Sequence, residues 1–264
     1  MIYSIIFIIG TVFGSFFTRA VYRIPLGQDI THEHSYCPKC GHKLFFLDLI
    51  PIFSYLFLGG KCRYCKNKIR IRYFLLEILS GVCFTLYAIS LNINWYNIDI
   101  QKIVYLIVGL LYFAVLFIIA GIDKENKMIQ KSVLGFGLVI EMIYMIYVCT
   151  YIQPNNVYGY VIYLFVMFVI MMIDIHSVKR KLESNYTIQV LSLLLFMRIF
   201  STDVVVLLTA ILTVVFSLAV ILIKKIKKNK RKNMNISKEE KLPIGFYMCI
   251  VNIICIIINN FHLI

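Results

Sequence analysis

The chain has 264 residues, of which 61% are hydrophobic and 15% charged, with a formal charge of +14 at pH 7. Ordinary soluble domains are about 45–50% apolar; at about 20 residues per membrane helix, this chain carries material for seven or eight spans and a small polar module. A soluble globular enzyme is excluded, and so is a disulfide scaffold: four of the eight cysteines (Cys83, Cys149, Cys249 and Cys255) stand singly within apolar runs.

The first predicted span covers residues 1–22. No basic residue precedes it, and Arg19 and Arg23 come at its far end. This is the reverse of a cleavable signal's charge order, so the segment is expected to remain as an anchor with its N-terminus outside. The polar module follows, over residues 23–72. Cys37-Pro38-Lys39-Cys40 and Cys62-Arg63-Tyr64-Cys65 form two C-x2-C pairs with 21 residues between the inner cysteines, close to the spacing of four-thiolate zinc sites. A tight turn aims both sulfurs of a pair at one metal, Gly41 relieves the backbone where the first turn reverses, and Lys39, Lys61, Arg63 and Lys66 offset the thiolate charge. The alternatives are disulfide pairing, disfavoured in the cytosol, or four unbound thiols. His32, His34 and His42 are each able to replace a ligand, but are expected to be solvated loop residues. Four sulfur ligands leave no position for an activated water, so the metal is expected to be structural.

Further apolar runs predict spans at 73–92, 101–122, 132–152, 157–173, 186–200, 204–223 and 243–262, eight helices in all. Of the 27 Lys and Arg residues, ten lie in 19–72, three in 123–131, three in 174–185 and nine in 224–241. With eight spans these four loops share one face, which the positive-inside rule makes cytoplasmic; only Lys102 and Arg198 fall opposite. The short span 186–200 is expected to turn back through a hairpin of Ser201, Thr202 and Asp203. The basic run Lys224 to Lys232 reads as a topology signal with some attraction to anionic lipid.

Asp123 ends the third span and Asp174 the fifth, and both spans run from outside to inside. The two carboxyls are therefore expected at one depth near the cytoplasmic boundary, where ionisable groups suggest function. Two acids that approach closely share a proton, so that one serves as base and the other as acid, which suits activation of water against a peptide bond. The plainer reading is a pair of polar helix ends facing the cytosol. Glu77 lies one turn after Tyr73, leaving open a Tyr–Glu hydrogen bond or a catalytic part; Glu141 is expected to pair with a neighbouring hydroxyl. No nucleotide-binding Gly-rich loop, serine nucleophile elbow or zincin helix motif is present.

Several stretches resemble the type IV prepilin peptidases, the leader peptidase/N-methyltransferases. Gly14-Ser15-Phe16 with Tyr22-Arg23-Ile24-Pro25 is similar to the family's first-helix ending. Cys37 to Cys40, Leu49-Ile50-Pro51, Ser54-Tyr55-Leu56, Gly60 to Cys65 and Arg72-Tyr73 to Glu77 resemble its cytosolic module. Asp123 with Ile129 is similar to the first catalytic motif, and Leu242-Pro243-Ile244-Gly245-Phe246 to the final-helix element. Two departures stand out. Met171-Met172-Ile173-Asp174 occupies the place of Gly-x-Gly-Asp, with His176 in place of Lys, and Gln130-Lys131 replaces a Pro-Asp pair.

The resemblance implies an all-α polytopic membrane protein of about eight helices, with a zinc module between the first two. Its expected division is helix 1 over 1–22, the cytosolic four-cysteine module over 23–72 and a seven-helix peptidase domain over 73–264. It also implies an inner-membrane aspartic endopeptidase that cuts basic leaders from type IV prepilin or pseudopilin precursors at the cytoplasmic face. Asp123 and Asp174 would be catalytic, with zinc on Cys37, Cys40, Cys62 and Cys65. S-adenosylmethionine would be the donor for methylation of the new N-terminus. The rival expectation is a catalytically silent assembly factor that binds pilin helices. A weaker one is nucleic-acid binding through Arg63, Lys66, Lys68 and Arg70; no nucleic-acid partner is expected, and membrane lipid is.

Overall fold

The computed structural model describes residues 1–30, 34–93, 99–152, 157–179, 186–230 and 242–262; residues 174–179 are described by backbone alone. Helices dominate: α1 (Ile2–Arg23), α2 (Phe53–Phe57), α3 (Ile71–Ser90), α4 (Ile100–Asn126), α5 (Lys131–Tyr147), α6 (Val157–Lys179), α7 (Tyr186–Phe200), α8 (Asp203–Lys230) and α9 (Ile244–His262). Among the described residues there is no strand, only two isolated bridges. Six helices are long and apolar enough to cross a membrane, namely α1, α3, α4, α5, α8 and α9, while α6 and α7 contain shorter apolar stretches, Val161–Ile173 and Tyr186–Arg198. The chain is an all-α multi-pass membrane protein.

Three ends differ from the sequence expectation. The α4 helix runs to Asn126, so Asp123 lies within its last turn instead of closing it, and α6 likewise continues past Asp174 to Lys179. The α8 helix persists to Lys230, because Lys is a good helix former and a span can continue into water while its backbone stays hydrogen-bonded. The hairpin at Ser201–Asp203 is present: α7 stops at Phe200, α8 starts at Asp203, and the Arg198 guanidinium donates to the Asp203 carboxylate at 2.8 Å.

The described chain divides into two units, Met1–Ile118 and Ile119–His262. In the first, α1 crosses α3 at closest approach through glycine. A Cβ on Gly10 would lie 2.7 Å from the Gly81 Cα, and one on Gly14 would lie 2.7 Å from the Glu77 Cα. The spacing Gly10-x-x-x-Gly14 is the small-residue pattern that lets membrane helices approach backbone to backbone. Ser80 Oγ, fully buried, donates across the contact to the Gly10 carbonyl at 2.7 Å. Phe17 stacks on Phe117 with centroids 5.6 Å apart.

In the second unit, Asn252 Nδ2 on α9 donates to Thr209 Oγ1 on α8 at 3.2 Å, a buried polar clasp between two apolar helices. Glu141 on α5 corrects an expectation. Its carboxyl is buried, and neither oxygen has a hydrogen-bond partner among the described residues. Tyr144, the hydroxyl-bearing residue one turn on, packs its ring near Phe200 with centroids 6.2 Å apart.

Candidate functional site

The four predicted cysteines come together in the first unit. Each pair forms a knuckle closed by the same backbone bonds: the Cys37 amide donates to the His42 carbonyl at 3.0 Å and Gly41 N to the Cys37 carbonyl at 2.9 Å. In the second, Cys62 N donates to the Asn67 carbonyl at 2.9 Å and Lys66 N to the Cys62 carbonyl at 3.0 Å. The residue after each second cysteine must adopt positive φ, +69° at Gly41 and +59° at Lys66. Glycine meets that need without strain; lysine meets it at some cost.

The four Sγ atoms lie within 4.8 Å of one another, a group that could hold a metal ion. A tetrahedral zinc with Zn–S bonds of about 2.3 Å has sulfur–sulfur edges of about 3.8 Å. The Cys37 and Cys65 sulfurs are 3.9 Å apart, so the donor set fits. Crowding splits the thiols. Burial raises Cys37, but hydrogen bonds from the Cys40 and Lys39 amides and from the Cys40 and Cys62 thiols outweigh it and bring Cys37 down to about 7. At Cys65 the Asn67 amide lowers the value, yet burial and the other three sulfurs push it up to about 11.

None of the described histidines joins the cluster. His42 packs its ring against Tyr64, with centroids 3.6 Å apart, and His34 offers its backbone carbonyl to Arg23 at 3.0 Å; His32 lies outside the described residues. Arg23, although charged, is buried at the end of α1, where it also donates to the Asp29 carbonyl at 3.0 Å and so ties the helix to the module. Arg63 Nε donates to Asp48 Oδ1 at 2.6 Å, and this contact raises the guanidinium's pKa further. Glu77 is not bonded to Tyr73. It accepts from the Ile52 amide at 2.7 Å and from Ser15, because the loop before α2 folds back on α3. A cavity of about 250 Å³ lies between the α1 end and the module, with Arg19, Tyr22, Tyr36, Tyr55, Phe74 and Glu77 among its walls.

In the second unit, Asp123 is fully buried. Tyr186 Oη, at the start of α7, donates to Asp123 Oδ1 at 2.8 Å, and the Phe246 amide donates to Oδ2 at 2.8 Å. The Gly245 amide donates to Tyr186 Oη at 3.2 Å, closing a three-membered network. Gly245 and Phe246 lie in the first turn of α9, where amides have no partner within the helix and a carboxylate is the natural acceptor. Gly245 is also needed for space, since a Cβ there would sit 3.2 Å from Asp123 Oδ2. Nearby, Gln189 Oε1 accepts from the buried Ile129 amide at 3.0 Å. Taken alone this is the geometry of a held carboxylate at a helix N-terminus. The Asp174 and His176 backbones belong to α6, but their side chains lie outside the described residues. Sequence reasoning missed Tyr186 and Gln189, which stand in an apolar segment with no spacing signal; Gly245 and Phe246 were singled out as a motif without a stated partner.

Residues 8–91 match the family model of the bacterial peptidase A24 N-terminal domain. The chain is 34% identical over 139 residues to a prepilin leader peptidase/N-methyltransferase of Vibrio cholerae, covering 49% of this chain and 51% of the relative. To the protein of that name from Bacillus subtilis it is 33% identical over 135 residues, covering 51% of each. To that from Myxococcus xanthus it is 42% identical over 79 residues, covering 30% of this chain and 24% of the relative. The chain thus spans about half, or less, of the length of these relatives. No solved structure matches it. With its paired cysteine knuckles inside the matched N-terminal segment, the chain is similar to the prepilin leader peptidase/N-methyltransferases over about half of its length.

Proposed function

We propose that the chain is a membrane-embedded aspartic endopeptidase that removes the basic leader of type IV prepilin-like precursors at the cytoplasmic face of the inner membrane. The observation that carries this reading is the buried Asp123 carboxyl, gripped on one oxygen by Tyr186 and on the other by the α9 N-terminus, in a chain similar to these peptidases. In this mechanism Asp123 and Asp174 share one proton. The ionised partner takes a proton from water as the oxygen attacks the scissile carbonyl, and the protonated partner supplies one to the leaving nitrogen. The apolar helix of the precursor would lie among the spans, which brings a bond just outside it to the level of Asp123. The loops carrying 25 of the 27 Lys and Arg residues support a cytoplasmic site.

The division proposed with this reading is helix 1 over 1–22, the zinc module over 23–72 and the peptidase helices over 73–264. Cys37, Cys40, Cys62 and Cys65 would hold zinc as a structural ion that stabilises the module. S-adenosylmethionine, the methyl donor implied by the relatives' names, suits the cavity beside the module: tyrosine and phenylalanine walls accept a purine or a sulfonium, and Arg19 a carboxylate. The donor supplies an activated methyl group for the new N-terminal amine.

Mass spectrometry of a co-expressed precursor tests both steps. Asp123→Asn and Asp174→Asn are each expected to abolish cleavage while the protein remains in the membrane, and full cleavage by both variants would reject the assignment. A second reading, a silent assembly factor that binds pilin helices, is favoured by one observation. The α6 helix is unbroken through Met171 and Ile173, where the family pattern has glycine. Cleavage appearing only after both positions are returned to glycine would support it.

A further inference from the structure

The module between α1 and α3 carries an apolar stretch that its metal knuckles do not use. Residues 44–58, LFFLDLIPIFSYLFL, contain a single charge. Leu49, Tyr55 and Leu58 turn inward to the cavity. Phe45, Phe46, Leu47, Phe53, Leu56 and Phe57 turn outward; Phe46 is 76% exposed and Phe57 85%. Six large apolar side chains on one polar module form the kind of patch that marks an interaction surface.

Its position says what covers it. The α3 helix has 20 residues, and at 1.5 Å each it just matches a hydrocarbon core of about 30 Å, so its first turns already lie at the edge of the core. Tyr55 stacks on Phe74, in the first turn of α3, at 4.9 Å. The Ile52 amide reaches Glu77, one turn further in. The stretch therefore runs alongside the entering helix, at a depth of up to about 9 Å along its axis. Its one charge is disarmed: the Asp48 side chain is only 2% exposed, paired with Arg63 and accepting from the Phe45 amide at 3.2 Å. Lys43, which leads into the stretch, is exposed and available to anionic headgroups.

We propose that residues 45–57 are an interfacial membrane anchor: the Phe-rich outer face of the module dips into the bilayer beside α3 and holds the cysteine knuckles against the headgroups. A partner-binding face would need no such registry with a membrane-spanning helix. An apolar run of 10–14 residues is too short to span and suits an interfacial segment.

The test uses the full chain in vesicles of phosphatidylcholine with phosphatidylglycerol, in a Trp95→Phe background, with single tryptophans at Phe57→Trp, Phe46→Trp and, as a control on the polar face, Lys68→Trp. Lipids brominated near the headgroup end of the acyl chain are expected to remove about half or more of the emission at positions 57 and 46 and little at 68. Two outcomes would overturn the proposal: emission quenched by aqueous acrylamide but not by bromolipid, which places the patch in water, or emission shielded from both, which places it under protein. Having two reporter positions keeps the test open if one variant fails to fold. The readout involves no cleavage, so a silent peptidase leaves it unaffected.

Discussion

At the scale of single residues, Asp123 is held by its neighbours more tightly than its place in the chain suggests. Its aspartate type and its position near a helix end were legible, because an acid at the edge of an apolar run stands out. Its partners were not: Tyr186 lies 63 residues away and Phe246 123 residues away, and neither breaks the pattern of its own helix. If Tyr186 positions the carboxyl, Tyr186→Phe removes one hydrogen bond to a charged group, worth about 1.5–3 kcal/mol. The expected result is a kcat lowered roughly tenfold to a hundredfold with KM nearly unchanged and a displaced pH profile. A merely structural tyrosine would instead lower the thermal midpoint and leave the profile of the surviving activity in place. At Lys66 the sequence pattern showed a C-x2-C turn but not that the following residue takes φ of +59°, since only the closed knuckle imposes it.

At the scale of elements, hydrophobic runs located the eight longer helices among the described residues, while their ends moved by several residues. Hydropathy falls where charges begin, but a helix ends where its backbone bonds find other partners; α4, α6 and α8 therefore continue past their apolar stretches. The α1–α3 crossing rests on Gly10, Gly14, Ser80 and Gly81. Membrane helices gain nothing from leaving lipid for another apolar surface, so close backbone approach is what binds them. Gly10→Val is expected to separate the pair, with a loss of about 1–3 kcal/mol seen as a lower thermal midpoint in detergent, whereas Gly135→Val, where a Cβ meets nothing within 4 Å, should have little effect. Short α2 was invisible to periodicity because five residues complete little more than one turn; its register comes from the Ile52–Glu77 contact, which no local rule announces.

At the scale of the whole molecule, charge asymmetry is what the proposed orientation rests on. Alkaline phosphatase fused after Thr202 is expected to be active, and fused after Lys230 inactive, because the first loop is nearly free of Lys and Arg and the second is rich in them. Equal activity at both sites would reject the eight-span topology. The sequence by itself determined that this is a multi-pass helical protein and that its polar module is organised by four cysteines. Those properties are carried by local composition and spacing, which survive without knowledge of contacts. Only the tertiary structure decided which groups face Asp123, that Glu77 grips the loop before α2 and not Tyr73, and that Glu141 is buried without a hydroxyl partner among the described residues. Such pairings depend on the rotation and depth of one helix against another, and a uniformly apolar surface leaves both unspecified until glycine contacts and a few buried polar bonds select them.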